Sequence, residues 1–328
     1  MKKYYFMITL CIILLVSACS FPKLGLFNNT PEPLKEFTLE GAGKDKILLV
    51  SVTGLIADNR KKGLVSESPS MVEQVVAQLN KAQKDERIKA IVFKINSPGG
   101  SITASDVLYH EISSFKEKTR CKIVVSMMDV AASGAYYISL PADEIMAHPT
   151  TITGSVGVIS IHPRVSALME KIGLDVDVEK SGKHKDMGSP FRNSTIEERK
   201  LMQQLINDFG ERFIGLVQKH RKLEPQALAE VSTARIFLAD EALKMRLIDK
   251  IGYINDALAD ARKIAGLPDD SRVIVYRAKE YPNDNYYNVT GGASTNLHVS
   301  LINIDLPESL GLRAGFYYLW PQAADFAR

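Results

Sequence analysis

Lys122-Ile123-Val124-Val125-Ser126-Met127-Met128-Asp129-Val130-Ala131-Ala132-Ser133-Gly134-Ala135-Tyr136-Tyr137-Ile138-Ser139-Leu140 is the stretch on which the fold turns. Its first part, to Met128, is a short apolar run of strand length. Its second part, Ala131–Leu140, reads as a helix after a tight turn, and the join is a cluster of tiny residues around one serine. A side chain at a strand-to-helix turn stands out beside the free N–H groups of the helix start. Ser133 is therefore either a nucleophile or the cap of a close-packed helix, and the local sequence allows both.

The same alternation continues outward on both sides. Ile47–Val52 is an apolar strand ending near Gly54, and Met71, Val75, Val76 and Leu79 give helical spacing between Ser70 and Lys84. Ser70, with Glu73 three residues on, is a capping pair for that helix. Lys89–Asn96 is a second strand, broken by Ser97-Pro98-Gly99-Gly100, and Thr103–Lys116 is the next helix. Glu144–Ala147 reads as a short strand, Gly154–Ile161 as strand and turn, and Ile196–Lys222, Leu238–Leu247 and Tyr253–Ala265 as helices. Strands and helices in this order imply βαβ units, a mainly parallel sheet and an α/β fold class.

A chain of 328 residues suits one core domain with appendages. With 24% charged and 45% hydrophobic residues it has the composition of a globular protein. The net charge is only +3, and Arg60-Lys61-Lys62 is a single short basic cluster with no aromatic interleaving, so no nucleic-acid partner is expected. Lys2 and Lys3 precede the apolar run Tyr4–Val16 and the small residues Ser17-Ala18 before Cys19, the pattern of an export signal. The run is short for a membrane span. A cysteine in that place resembles the lipobox of bacterial lipoproteins. Cys19 would then carry a lipid, with the rest of the chain tethered at the cell membrane on the extracytoplasmic, periplasmic face; an uncleaved signal anchor is the alternative. The expected division is a signal over 1–19, a tether over 20–44, the main domain over 45–266 and a C-terminal extension of unassigned role over 267–328. The aperiodic Asn283–Asn296 leaves that extension as either an appended β element or partly disordered. Cys121 stands apart from Cys11 and Cys19, which leaves no internal disulfide in the mature chain and makes it a buried core residue.

Two further segments carry chemistry. In Ile95-Asn96-Ser97-Pro98-Gly99-Gly100-Ser101, two glycines after a strand can turn backbone N–H groups outward to hold a developing oxyanion; a plain strand-to-helix turn is the other reading. In Ser181-Gly182-Lys183-His184-Lys185-Asp186, a lysine could serve as base to a serine if burial lowers its pKa; a charged surface loop is the other reading.

Taken together, Ser97-Pro98-Gly99-Gly100, Ala131-Ala132-Ser133-Gly134 and Thr153-Gly154-Ser155-Val156-Gly157-Val158 resemble the signatures of the signal peptide peptidase A family, the protease IV-like serine–lysine peptidases. The resemblance runs from about Ile47 to Tyr253. It implies a ClpP/crotonase-like fold and a Ser-Lys dyad, with Ser133 as nucleophile and Lys185, in preference to Lys183, as base. It implies Ser155 as the residue orienting the lysine, and Gly100, with Gly134, as the oxyanion hole. It also implies peptide substrates, cleaved signal peptides among them, and a homo-oligomer in which a neighbouring subunit supplies the lysine. Ala135, where a second glycine is common, and the weaker segment Ala234–Asp240 depart from the pattern.

Three alternatives remain. His148 or His162 could replace lysine as base, though each precedes a proline at a strand end. A crotonase-like acyl-CoA enzyme would explain the glycines but not Ser133 with Lys185, and an exported chain meets no CoA pool. A non-catalytic membrane scaffold could keep the same fold. No metal-ligand spacing appears, and no cofactor is expected.

Overall fold

The computed structural model describes residues 33–62, 67–288 and 314–323. The expected export signal, the lipidation site Cys19 and the first part of the tether lie outside the described residues. So does part of the C-terminal extension.

In chain order the strands are β1 Lys35–Glu40, β2 Lys46–Thr53, β3 Lys61–Lys62, β4 Glu67–Ser68, β5 Ile88–Ser97, β6 Gly99–Ser101 and β7 Lys122–Ala132, then β8 Glu144–Ala147, β9 Ile152–Gly154, β10 Ile159–Ile161, β11 Ile236–Leu238, β12 Lys250–Ile251, β13 Arg272–Arg277 and β14 Gly315–Leu319. The helices are α1 Met71–Ala82, α2 Ile102–Thr119, α3 Gly134–Ser139, α4 Ser166–Ile172, α5 Ile196–Arg221, α6 Pro225–Val231, α7 Ala239–Lys244 and α8 Ile254–Ala265. The main sheet runs β1-β13-β2-β5-β7-β8-β12, with β9 on the far end of β7 and β11 on β9. From β13 to β12 the neighbours along this path are parallel, and β1 closes the edge antiparallel to β13.

The sheet is covered on both faces, which is why its strands read as unbroken apolar runs. Along β2, Leu48, Val50 and Val52 join the core shared with α1, α2 and α3, whereas Ile47 and Leu49 join the core under α8. Along β5, Ile91, Phe93 and Ile95 face the first core, and Ala90 and Val92 the second. This is the period-two alternation of a pleated strand. α1 starts with the expected box: Ser70 Oγ accepts from the Glu73 N–H, and the Glu73 carboxylate accepts from the Ser70 N–H. No described helix is long and apolar enough to cross a membrane.

Three boundaries differ from the sequence reading. The tether over 20–44 is shortened, because Lys35–Glu40 is a strand of the sheet. It is fixed there by Lys46, buried between Glu36 and Asp85. The division at 266 cuts through the domain, because β13 lies inside the sheet between the edge strand β1 and β2. The helix expected from Ala131 starts only at Gly134, because β7 continues to Ala132.

Candidate active site

Ser133 occupies the single residue between β7 and α3, with φ 53° and ψ −116°. A residue with a Cβ meets steric strain there, of order 1–3 kcal/mol, so the surroundings must impose it. The Ser133 N–H donates to the Gly154 carbonyl at 2.7 Å, and the Tyr137 N–H donates to the Ser133 carbonyl at 2.9 Å. Tyr136 and Tyr137 anchor α3 from inside: their hydroxyls donate to the Leu247 carbonyl at 2.8 Å and to Asp106 at 2.6 Å.

The strand leading to the serine is bulged. Ile95 of β5 pairs with Met127 and Ser97 with Ala131, so a step of two residues on β5 matches a step of four on β7. Bulges re-aim the side chains that follow them. Here the freed backbone groups are taken up by side chains. The Val130 N–H donates to Asn96 Oδ1 at 3.1 Å, and Thr151 Oγ1 reaches the carbonyls of Met127 and Met128 at 3.1 and 2.5 Å. Thr153 Oγ1 donates to the Ala131 carbonyl at 2.6 Å.

Opposite the serine lies the turn from β5 into β6. A Cβ on Gly100 would stand 1.8 Å from the Ile56 carbonyl oxygen, so only glycine lets the two backbones approach this closely. The Ser97 hydroxyl accepts from the Gly99 N–H at 3.1 Å and fixes the turn. The Gly100 nitrogen lies 3.2 Å from the Cβ position of Gly134, so both glycine amides border one space beside Ser133. Amides so placed can hold negative charge developing on a carbonyl oxygen. Ser133 is fully buried, and its Oγ has no hydrogen-bond partner. A buried orphan hydroxyl is costly, by about 1–3 kcal/mol. Its retention fits a group kept for chemistry.

Ser155 is brought to the same place. β9 runs parallel to β7 with Gly154 beside Ala132, so the next residues, Ser155 and Ser133, are neighbours. Ser155 also has a positive φ, 51°, and its N–H donates to the Arg235 carbonyl at 2.9 Å.

Lys185 is not brought to them within one chain. It lies on a turn after α4, its N–H donating to the Gly182 carbonyl at 3.1 Å, with its side chain exposed. Its neighbours are engaged elsewhere. Lys183 pairs with Glu197, and Asp186 clamps Arg192 and Lys180. The Arg192 guanidinium, with help from Lys180, holds the Asp186 carboxyl well below the usual carboxylate range. Arg192 also grips Glu198, whose carboxyl is lowered to about 2, chiefly by that guanidinium and then by the Thr195 N–H.

The histidines are placed elsewhere. His148 bonds Thr150 at 2.8 Å and His162 bonds Ser160 at 2.6 Å, and neither reaches the unpartnered Ser133 hydroxyl. Cys121 is buried, and burial pushes its thiol up to about 12, as befits a core residue. Among the described residues no group of three or more His, Cys, Asp or Glu could hold a metal ion.

Sequence reasoning missed three parts of this site. Asn96 and Thr151 gave no signal of their role, because a bulge is invisible until the strands pair. The aromatic run Gly315–Trp320 did carry a strand signal, and it forms β14, which lies against the glycine turn.

Comparison with known proteins agrees with the geometry. The family model for peptidase family S49 matches residues 115–268, and that for Clp protease matches residues 51–168. A protein of Enterococcus faecium named as a signal peptide peptidase SppA is 36% identical over 270 residues, covering 82% of this chain and 75% of that protein. The chloroplastic serine protease SPPA of Arabidopsis thaliana is 31% identical over 73% of this chain and 36% of its own length. Protease 4 of Salmonella typhi is 33% identical over 67% of this chain and 35% of its own. With a two-sided parallel sheet of ClpP/crotonase-like type, the chain belongs to the signal peptide peptidase A family, peptidase family S49, and is a serine peptidase.

Proposed function

We propose that the chain is a membrane-tethered endopeptidase that uses Ser133 and Lys185 as a dyad and degrades extended peptides, cleaved signal peptides among them. The observation that carries this is the strained turn at Ser133: a buried, unpartnered hydroxyl beside the amides of Gly100 and Gly134. Ser133 Oγ attacks the scissile carbonyl, and the oxygen that gains charge is held by those two N–H groups. A neutral lysine amine takes the hydroxyl proton and passes it to the leaving amine as the peptide bond breaks. Water, deprotonated by the same amine, then releases the acyl group from Ser133. Ser155, beside Ser133, orients the amine.

Lys185 acts in this scheme on a neighbouring subunit. Its segment is bordered by exposed apolar side chains, Leu168, Ile172, Leu174, Val176, Val178 and Phe191, which supports a surface that packs against another copy. Packing there would desolvate an amine and favour its neutral form. The tether is lipid on Cys19, and the catalytic domain lies on the extracytoplasmic side; the lipobox-like sequence supports both.

Labelling with a fluorophosphonate tests the nucleophile. Label on Ser133, lost in Ser133→Ala, is expected; label in that variant, or none in an assembled sample, refutes it. Turnover by Lys185→Met equal to the parent would sink the lysine assignment, whereas activity rising toward alkaline pH supports it.

A further inference from the structure

The two amides beside Ser133 belong to two different helices. Gly134 is the first residue of α3, and Gly100 stands two residues before α2. Their spacing is therefore set by how α2 and α3 sit against each other. α2 has 18 residues and a capped start, where the Ser101 hydroxyl accepts from the Ala104 N–H at 3.3 Å. α3 has six residues, all buried, and no side-chain cap. A helix that short does not hold its place by itself, so its neighbours must fix it.

Two adjacent residues of α2 meet the two ends of α3. Ser105 Oγ lies 2.4 Å from the Cβ position of Gly134, and it donates to the Ser101 carbonyl at 2.9 Å. Asp106 Oδ1 accepts from the Tyr137 hydroxyl at 2.6 Å. The Tyr137 N–H in turn donates to the Ser133 carbonyl at 2.9 Å, so Tyr137 is bonded both to the nucleophile's own backbone and to α2.

The Asp106 bond is built to be strong. Tyr137 is fully buried, and a buried phenol needs a partner for its O–H. An ionised carboxylate is a stronger acceptor than a neutral group. Arg212 of α5 donates to the same oxygen at 2.7 Å and so holds the carboxylate from the other side. Tyr109, also on α2, sets its ring edge-on to Tyr137 with centroids 5.3 Å apart.

We propose that Asp106 is a positioning residue for peptide-bond cleavage: through the Tyr137 hydroxyl it registers α3 against α2, and so sets the Gly134 and Gly100 amides about the Ser133 hydroxyl. This rests on the peptidase reading. Groups aimed at charge that develops only in the transition state act on kcat and leave substrate binding almost untouched.

The test is a double-mutant cycle in the full chain on Asp106→Ala and Tyr137→Phe, read by peptide turnover and by fluorophosphonate labelling of Ser133. Tyr137→Phe deletes the hydroxyl and keeps the buried ring, so the packing of α3 is retained. Each single variant should lower kcat about tenfold, leave KM within about twofold and slow labelling in parallel. The double variant should be no worse than the poorer single one, because both remove the same bond. Asp106→Asn keeps an acceptor for the hydroxyl and should recover most of the rate. Unchanged labelling in both single variants, a loss confined to KM, losses that multiply in the double variant, or no recovery in Asp106→Asn would overturn the proposal and leave the peptidase reading standing. No label on Ser133 in the parent chain would refute both.

Discussion

Replacing Thr151 by valine removes one hydroxyl and almost no volume, so it isolates the bulge that aims Ser133. Thr151 Oγ1 reaches two carbonyls, Met127 at 3.1 Å and Met128 at 2.5 Å. They are not equally dependent on it. The Met127 carbonyl also accepts from the His148 N–H at 2.9 Å, whereas that of Met128 sits in the unpaired part of the bulge. Valine therefore orphans one carbonyl rather than two, a cost of about 1–2 kcal/mol. For a chain of this size the melting temperature should fall by roughly 2–8 °C. The larger effect is expected on the reaction. The bulge ends at Ala131, two residues before the serine, and a nucleophile displaced by about 1 Å can lose on the order of a hundredfold in rate. Turnover should fall ten- to a hundredfold with KM nearly unchanged, labelling of Ser133 should slow in parallel, and Thr151→Ser should restore both. A valine variant that loses the expected stability but turns over like the parent refutes the argument that the bulge aims the serine.

Other outcomes follow from the same geometry. Gly100→Ala would drive a Cβ to 1.8 Å from the Ile56 carbonyl oxygen and push its amide out of place, so kcat should drop about a hundredfold or more while the chain stays folded by circular dichroism. Ser133→Gly should abolish labelling yet raise the melting temperature, because glycine relieves the conformation at φ 53°; a lower melting temperature would show that the turn is not strained. Glu198 is held at about 2 against an ordinary value of 4.5, so its grip on Arg192 contributes stability above about pH 4.5 and loses it as pH falls toward 2. Protection of the amides across residues 180–198, taken relative to their intrinsic exchange rate at each pH, should fall over that window and stay unchanged above it; unchanged protection down to pH 2 would discount the pair.

The parts legible in the sequence are those set by local physics. Lys122–Met128 and Lys89–Asn96 are apolar because both faces of the sheet are covered, and Ser70 with Glu73 announces a helix start in any context. Gly100 and Ser133 were legible because backbone approach and sharp turns need particular residues. What stayed hidden depends on pairing between distant segments. Arg272–Arg277 falls in the extension of unassigned role until it inserts between Lys35–Glu40 and Lys46–Thr53. Asn96 and Thr151 are ordinary polar residues until the register of β5 against β7 slips by two. Lys185 rests mainly on the resemblance, since a lysine in Ser181–Asp186 reads equally as part of a charged surface loop, and nothing among the described contacts of one chain draws it toward Ser133.

That last contrast bears on how such a site could be controlled. Ser133, Ser155, Gly100 and Gly134 are fixed by backbone hydrogen bonds and strand register, so this half is preorganised in a single chain. Lys185 stands on an exposed turn braced by the Asp186–Arg192–Glu198 network, which orders the turn without directing the amine anywhere. If a second copy supplies the base, assembly becomes the condition for hydrolysis. A lone chain then holds an aimed hydroxyl with no amine to take its proton, and packing on the exposed apolar face around α4 would both deliver the amine and strip water from it.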